Sequence, residues 1–192
     1  MDFTCAILAG GRSRRMGRDK ATITVNNKAL IQQVYDKVAT VFDNITIVSN
    51  HHKRLHGIDA PIVRDVIPVQ ASMVGVVSAL ITASTPYVFV IACDMPFVSV
   101  EVIRHMVDQV HGEDVIVPRT REGFEPLHAI YNRSCISTLL TFIERRRLKI
   151  TGTFPFFSVK EIKDQPSFLY KGMSIFTNIT VEEDLALVRR LG

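Results

Sequence analysis

Leu8-Ala9-Gly10-Gly11-Arg12-Ser13-Arg14-Arg15-Met16-Gly17-Arg18-Asp19-Lys20 is the stretch from which the rest of this chain can be read. It continues a short apolar run, residues 3–8, that breaks at Gly10-Gly11. A strand that ends in paired glycines and then turns basic suits a first β→α turn that receives an anion. Gly10 and Gly11 let the backbone approach a phosphate closely and aim N–H groups at it. Arg15 and Lys20 supply permanent charge where phosphate oxygens would sit. Five basic residues (Arg12, Arg14, Arg15, Arg18, Lys20) fall within nine positions. The plain alternative is a flexible glycine turn with surface arginines, and so much charge directly after a strand argues against it. The spacing is neither G-x-x-x-x-G-K-[ST] nor G-x-G-x-x-G, so Walker and dinucleotide loops are excluded.

Outward from this turn, strand and helix patterns alternate. Residues 29–41 carry Leu30, Val34, Val38 and Val41 at helical spacing. Residues 44–49 read as a strand and 61–63 as a shorter one. Residues 74–82 read as a helix. Residues 87–92, YVFVIA, are continuously apolar, as in a strand covered on both faces of a parallel sheet. A helix follows at 100–110, two neighbouring strands at 115–118 and 127–131, and a helix at 135–146. A late strand is expected at 174–178. An amphipathic closing helix is expected at 181–191, with acidic residues in its first turn. The alternation predicts an α/β fold with a mostly parallel sheet and helices on both faces. Residues 151–172 hold Gly152, Pro155, Pro166 and Gly172 and read as an irregular excursion beside the site. One domain spanning 1–192 is expected.

Composition bounds the function. The 192 residues are 47% apolar and 22% charged, which builds a core and excludes disorder. A formal charge of +4 fits an anionic substrate and is too small to argue for nucleic acid. Cys5, Cys93 and Cys135 are odd in number and far apart, which excludes a disulfide framework or a zinc site. With no basic leader and no apolar run near the roughly 20 residues that cross a bilayer, a cytoplasmic setting is expected.

Asp94 follows the YVFVIA run, where ligands meet an open α/β sheet. A carboxylate there is well sited to share a magnesium ion with phosphate oxygens. It can equally cap the helix beginning near Ser99 or order the Met95-Pro96 turn. The histidines, His51, His52 and His128 among them, need no catalytic role and read as surface or loop residues.

The segment LAGGRSRRMGRDKA resembles the L-A-G-G-x-S-x-R-M-G-x-D-K-A signature of the molybdenum cofactor guanylyltransferases. The likeness continues in order through Asn26-Asn27-Lys28-Ala29-Leu30, Val48-Ser49-Asn50, Asp65, Ala92-Cys93-Asp94-Met95-Pro96-Phe97 and Phe176-Thr177-Asn178-Ile179-Thr180-Val181-Glu182-Glu183. It implies a Rossmann-like three-layer α/β/α fold of the nucleotide-diphospho-sugar transferase type. It also implies magnesium-dependent transfer of GMP from GTP to molybdopterin with release of pyrophosphate. Leu8, Ala9, Gly10, Gly11, Lys20, Asn50, Asp65, Gly75 and Asp94 are then the nucleotide-binding residues. Asp94 is the metal ligand, and Lys20, Arg15 and Asp94 carry catalysis. Asn178 and Thr180 are then on the molybdopterin side; Arg146 and Arg147, by their charge, either receive the pterin phosphate or form a solvated basic helix end favoured by the dipole. Molybdoenzymes or their chaperones are implied as further partners, with neither nucleic acid nor membrane.

Two departures keep alternatives open. Where the family shows G-P-L-x-G, this chain has Ala71-Ser72-Met73-Val74-Gly75. A bulkier Val74 would narrow the base pocket unless the loop takes another turn. Thr180 and Val181 replace the family's second Asn and its Pro. A nucleotidyltransferase using CTP or a sugar-phosphate acceptor therefore stands as an alternative. So does a nucleotide-binding accessory protein without turnover.

Overall fold

The computed structural model describes residues 2–10, 23–25, 27–51, 55, 57–179 and 184. β1 (Phe3–Leu8) lies at the centre of the main sheet, between β4 (Asn44–Val48) and β6 (Tyr87–Ala92), parallel to both. β5 (Ile62–Val63) extends the sheet in parallel beyond β4. On the other side β9 (His128–Asn132) runs antiparallel to β6 and to β7 (Val115–Thr120). β8 (Gly123–Phe124) folds back on β7, and β10 (Val159–Lys163) closes the edge parallel to β7. The order is β10-β7-β9-β6-β1-β4-β5. Two small hairpins stand apart from it: β2 (Thr24–Val25) with β3 (Lys28–Ala29), and β11 (Leu169–Tyr170) with β12 (Met173–Ser174).

Successive strand residues point to opposite faces, and both faces are apolar. Cys5, Ile7, Phe89 and Ile91 meet α1 (Leu30–Val38) and α3 (Val100–Asp108) through Ile31, Val34, Val38, Val102, Ile103 and Met106. Ala6, Leu8, Val88 and Val90 meet α2 (Ser72–Thr82) and α4 (Ile136–Glu144). The result is the expected three-layer α/β/α sandwich. α1 and α3 are amphipathic because one face of each meets water. α2 is buried without a break from Met73 to Leu80, because it lies between the sheet and α4. Each fully buried Leu, Ile or Val side chain contributes about 1.5–3 kcal/mol here.

Three expectations need correction. Residues 151–172 are not only an excursion, since they include β10, and Ile162 is buried against the sheet. The late strand expected at 174–178 is only the two residues of β12, outside the main sheet. His128 is neither a surface nor a loop residue: it is fully buried in β9, opposite Ile91. The closing helix at 181–191 lies outside the described residues except for Asp184, which is helical. Among the described residues no helix is long and apolar enough to cross a membrane.

Candidate active site

The site grows from the level carboxyl ends of three strands. Leu8 is in register with Val48 on one side and Ala92 on the other. Beyond it the chain is stapled from both neighbours before the glycines begin. Ala9 N–H donates to Val48 O at 2.9 Å, and Ser49 Oγ donates to Ala9 O at 3.1 Å. On the other side Cys93 N–H donates to Leu8 O at 3.1 Å. Gly10 then emerges exposed, and a Cβ built on it would meet no described atom within 4 Å. Gly11, Arg15 and Lys20 lie outside the described residues, as does Thr180.

Gly75 supports this turn from beneath. A Cβ there would stand 3.2 Å from Leu8 Cδ1, so glycine lets the first turn of α2 press against the last residue of β1. The neighbouring Val74 is fully buried in the α2 core. α2 begins at Ala71 with no side-chain cap and no acid in its first turn. It follows β5, so its N-terminus lies at the same edge as Gly10.

Asp94 comes directly after Cys93 and is only 6% exposed. It does not cap α3: Ser99 does, its Oγ accepting Val102 N–H at 3.3 Å. The turn from Met95 to Val98 is buried, and α1 holds it through a residue that the sequence reading missed. Lys37 Nζ donates to Pro96 O at 2.8 Å and to Val98 O at 3.1 Å. Burial lowers the Lys37 pKa, the expected direction for an ammonium drawn under a turn. Asp94 O accepts Ile179 N–H at 2.9 Å, so Asn178, which is exposed, sits one residue from a contact with Asp94.

On the β4–β5 side Asn50 and Asp65 form a reciprocal pair. Asn50 Nδ2 donates to Asp65 Oδ2 at 2.7 Å, and Asp65 N–H donates to Asn50 Oδ1 at 2.9 Å. The structure thus brings Leu8, Ala9, Gly10, Asn50, Asp65, Gly75 and Asp94 to one edge of the sheet. Arg146 and Arg147 are exposed beyond the end of α4, in the α2 layer, whereas Ile179 packs with Leu30 and Phe97 in the α1 layer. The acceptor-side candidates are therefore divided between the two layers.

Two titratable groups lie near this edge without having been singled out as site residues. Glu125, in the loop between β8 and β9, is half-buried, and burial with help from Glu122 raises its pKa to about 7. His128 packs between the edges of Phe89 and Phe176, at centroid distances of 5.1 and 5.0 Å. Neither of its ring nitrogens has a partner among the described residues, and burial lowers its pKa to about 3.

A mostly parallel sheet with a glycine at the end of β1 and a carboxylate at the end of β6 fits a nucleotidyltransferase. The chain belongs to the MobA-like NTP transferase domain family, whose model matches residues 5–152. It is 33% identical to "Probable molybdenum cofactor guanylyltransferase" of Natranaerobius thermophilus over 98% of this chain and 96% of that one. It is 32% identical to "Molybdenum cofactor guanylyltransferase" of Desulfosudis oleivorans, over 95% and 92%. The crystal structure of molybdopterin-guanine dinucleotide biosynthesis protein A from Archaeoglobus fulgidus superposes with a TM-score of 0.83 at 26% identity, covering 97% of each chain. The fold is that of the nucleotide-diphospho-sugar transferases, and the protein is an enzyme of this family.

Proposed function

We propose that the protein transfers GMP from GTP to molybdopterin and releases pyrophosphate. The observation that carries this reading is the Cys93–Leu8 hydrogen bond, which sets Asp94 beside the opening of the glycine turn. The names of the full-length relatives support the same chemistry. The terminal phosphate of molybdopterin attacks the α-phosphorus of the nucleotide. A P–O bond forms to the acceptor, and the α–β P–O bond breaks to expel pyrophosphate. The attacking phosphate is already ionised, so catalysis is positioning and charge stabilisation and needs no protein nucleophile.

The backbone from Leu8 to Gly11 cradles the triphosphate, and Arg15 and Lys20 offset its charge. Asp94 holds magnesium. Among the described residues no group of three or more His, Cys, Asp or Glu side chains is arranged as a metal cage. One carboxylate with phosphate and water oxygens completing the shell is the donor set magnesium favours. When bound, the ion neutralises phosphate charge. The Asn50–Asp65 pair is assigned to the base or ribose, because a carboxylate can accept hydrogen bonds of the kind guanine's N1–H and 2-amino group donate. Asn178 stands on the acceptor side of Asp94, and Thr180, Arg146 and Arg147 complete the expected molybdopterin contacts.

The test is pyrophosphate release with molybdopterin and each of GTP, CTP, ATP and UTP in magnesium. GTP should give the highest kcat/KM. Turnover with CTP alone, or with a sugar phosphate as acceptor, would replace this reading. Nucleotide binding without turnover would make the protein an accessory factor.

A further inference from the structure

From Met73 to Leu80 helix α2 is buried, and Ser78 is the only hydroxyl in that stretch. It is fully buried among Val, Ala and Leu side chains, where a polar group costs free energy unless it is hydrogen-bonded. Its oxygen accepts Val66 N–H at 3.0 Å, and its single proton has two acceptors, Val74 O at 2.8 Å and Asp65 Oδ1 at 3.3 Å. The bond to Val74 is an ordinary helix back-bond. The bonds to Val66 and Asp65 are not local, since they tie the segment after β5 to the helix. Burial does not hold that segment at this point, because the Val66 side chain is 45% exposed. Asn50 grips Asp65 from the other side, through Oδ2 and the backbone N–H.

We propose that Ser78 is a positioning residue for nucleotide binding, fixing the backbone at Val66 and the Asp65 carboxylate so that Asp65 meets the base in one orientation. This rests on the reading of Asp65 as a nucleotide contact. The Ser78 proton is shared between Val74 O and Asp65 Oδ1, so the hydroxyl holds the carboxylate as well as its own helix. Asn50 holds Oδ2 and Ser78 holds Oδ1, so both oxygens are fixed in place while each keeps a lone pair for a ligand. A carboxylate that cannot rotate distinguishes a donor edge from an acceptor edge, and discrimination between bases follows from that rigidity.

The test is steady-state kinetics of Ser78→Ala, Asp65→Asn and the double variant, with GTP and CTP. Alanine matches the volume and favours the helix, so the fold should persist, and thermal unfolding checks this. Ser78→Ala should raise KM for GTP about fivefold to tenfold, the loss of one hydrogen bond, and reduce the GTP-to-CTP preference, with kcat little changed. In the double variant Ser78→Ala should add nothing to Asp65→Asn, because it acts through that carboxylate. An unchanged KM in Ser78→Ala beside a raised KM in Asp65→Asn would overturn the proposal, as would additive losses. An unchanged KM in Asp65→Asn would overturn the placement of Asp65 at the nucleotide, and this inference with it.

Discussion

The backbone N–H of Cys93 donates to the carbonyl of Leu8 at 3.1 Å, joining the residue before Asp94 to the residue before Ala9-Gly10. One hydrogen bond between adjacent parallel strands thus sets the spacing between the carboxylate proposed to hold the metal and the turn proposed to hold the phosphates. The proposed reaction needs both on one triphosphate, and this bond keeps the ends of β1 and β6 level.

Asp94→Asn keeps the volume and removes the charge. Magnesium-dependent pyrophosphate release should fall by about 100-fold, the scale seen when one preorganised electrostatic contact is lost. Thermal unfolding should move little. Turnover within threefold of the parent would remove Asp94 from the metal.

Gly75→Val tests the support under the glycine turn. Its Cβ would stand 3.2 Å from Leu8 Cδ1, with two methyls beyond it. Overpacking of this kind costs about 1–3 kcal/mol in stability. KM for the triphosphate should rise with it, because Leu8 carries Ala9 and Gly10. Denaturant unfolding and nucleotide KM measure the two effects, and a normal KM would separate Leu8 from the ligand.

Lys37→Met keeps the apolar stem and deletes the donor that reaches Pro96 O and Val98 O. Two carbonyls of the turn after Asp94 lose their ammonium partner, at a cost of about 1–3 kcal/mol. The expected signature is a lower kcat/KM in magnesium together with a lower unfolding midpoint.

His128 predicts how stability falls in acid. Its folded pKa is about 3 against an ordinary 6.5, so the unfolded chain takes up the proton first. The stabilisation from keeping it neutral is complete above about pH 6.5 and is lost as pH falls towards 3. Urea unfolding at pH 7 and pH 4.5 should show the parent losing about 2–3 kcal/mol more than His128→Leu. Equal losses would place the ring in water.

Glu125 acts in the opposite direction. Its folded pKa is about 7 against 4.5, so its contribution is present below pH 4.5 and is lost as pH rises through 7. Glu125→Gln should therefore gain in melting temperature over the parent between pH 5 and pH 8. A gap that stays constant across that range would contradict the shift.

β1 and β6 were legible to the residue, because a buried parallel strand is an unbroken apolar run bounded by turn formers. Strand direction was not legible. Alternation marks a face but not a heading, so the antiparallel course of β9 appeared only in its register with Ile91 and Tyr87. β10 was hidden because an edge strand reading Val-Lys-Glu-Ile-Lys carries three charges and only one fully buried residue. Within the site, Leu8, Gly10 and Asp94 were visible as strand ends. Lys37, Ser49 and Ser78 were not, because each works through a backbone or side-chain partner supplied by a distant segment. Ser78 in particular reads as a small residue in an apolar helix until Val66 and Asp65 are placed against it.

The most direct measurement is a crystal soaked with GTP and manganese, with anomalous data collected at the metal. The account predicts a manganese peak within coordination distance of the Asp94 carboxylate and triphosphate density over the Gly10 backbone. A metal peak remote from Asp94, or phosphate density away from the end of β1, would contradict it.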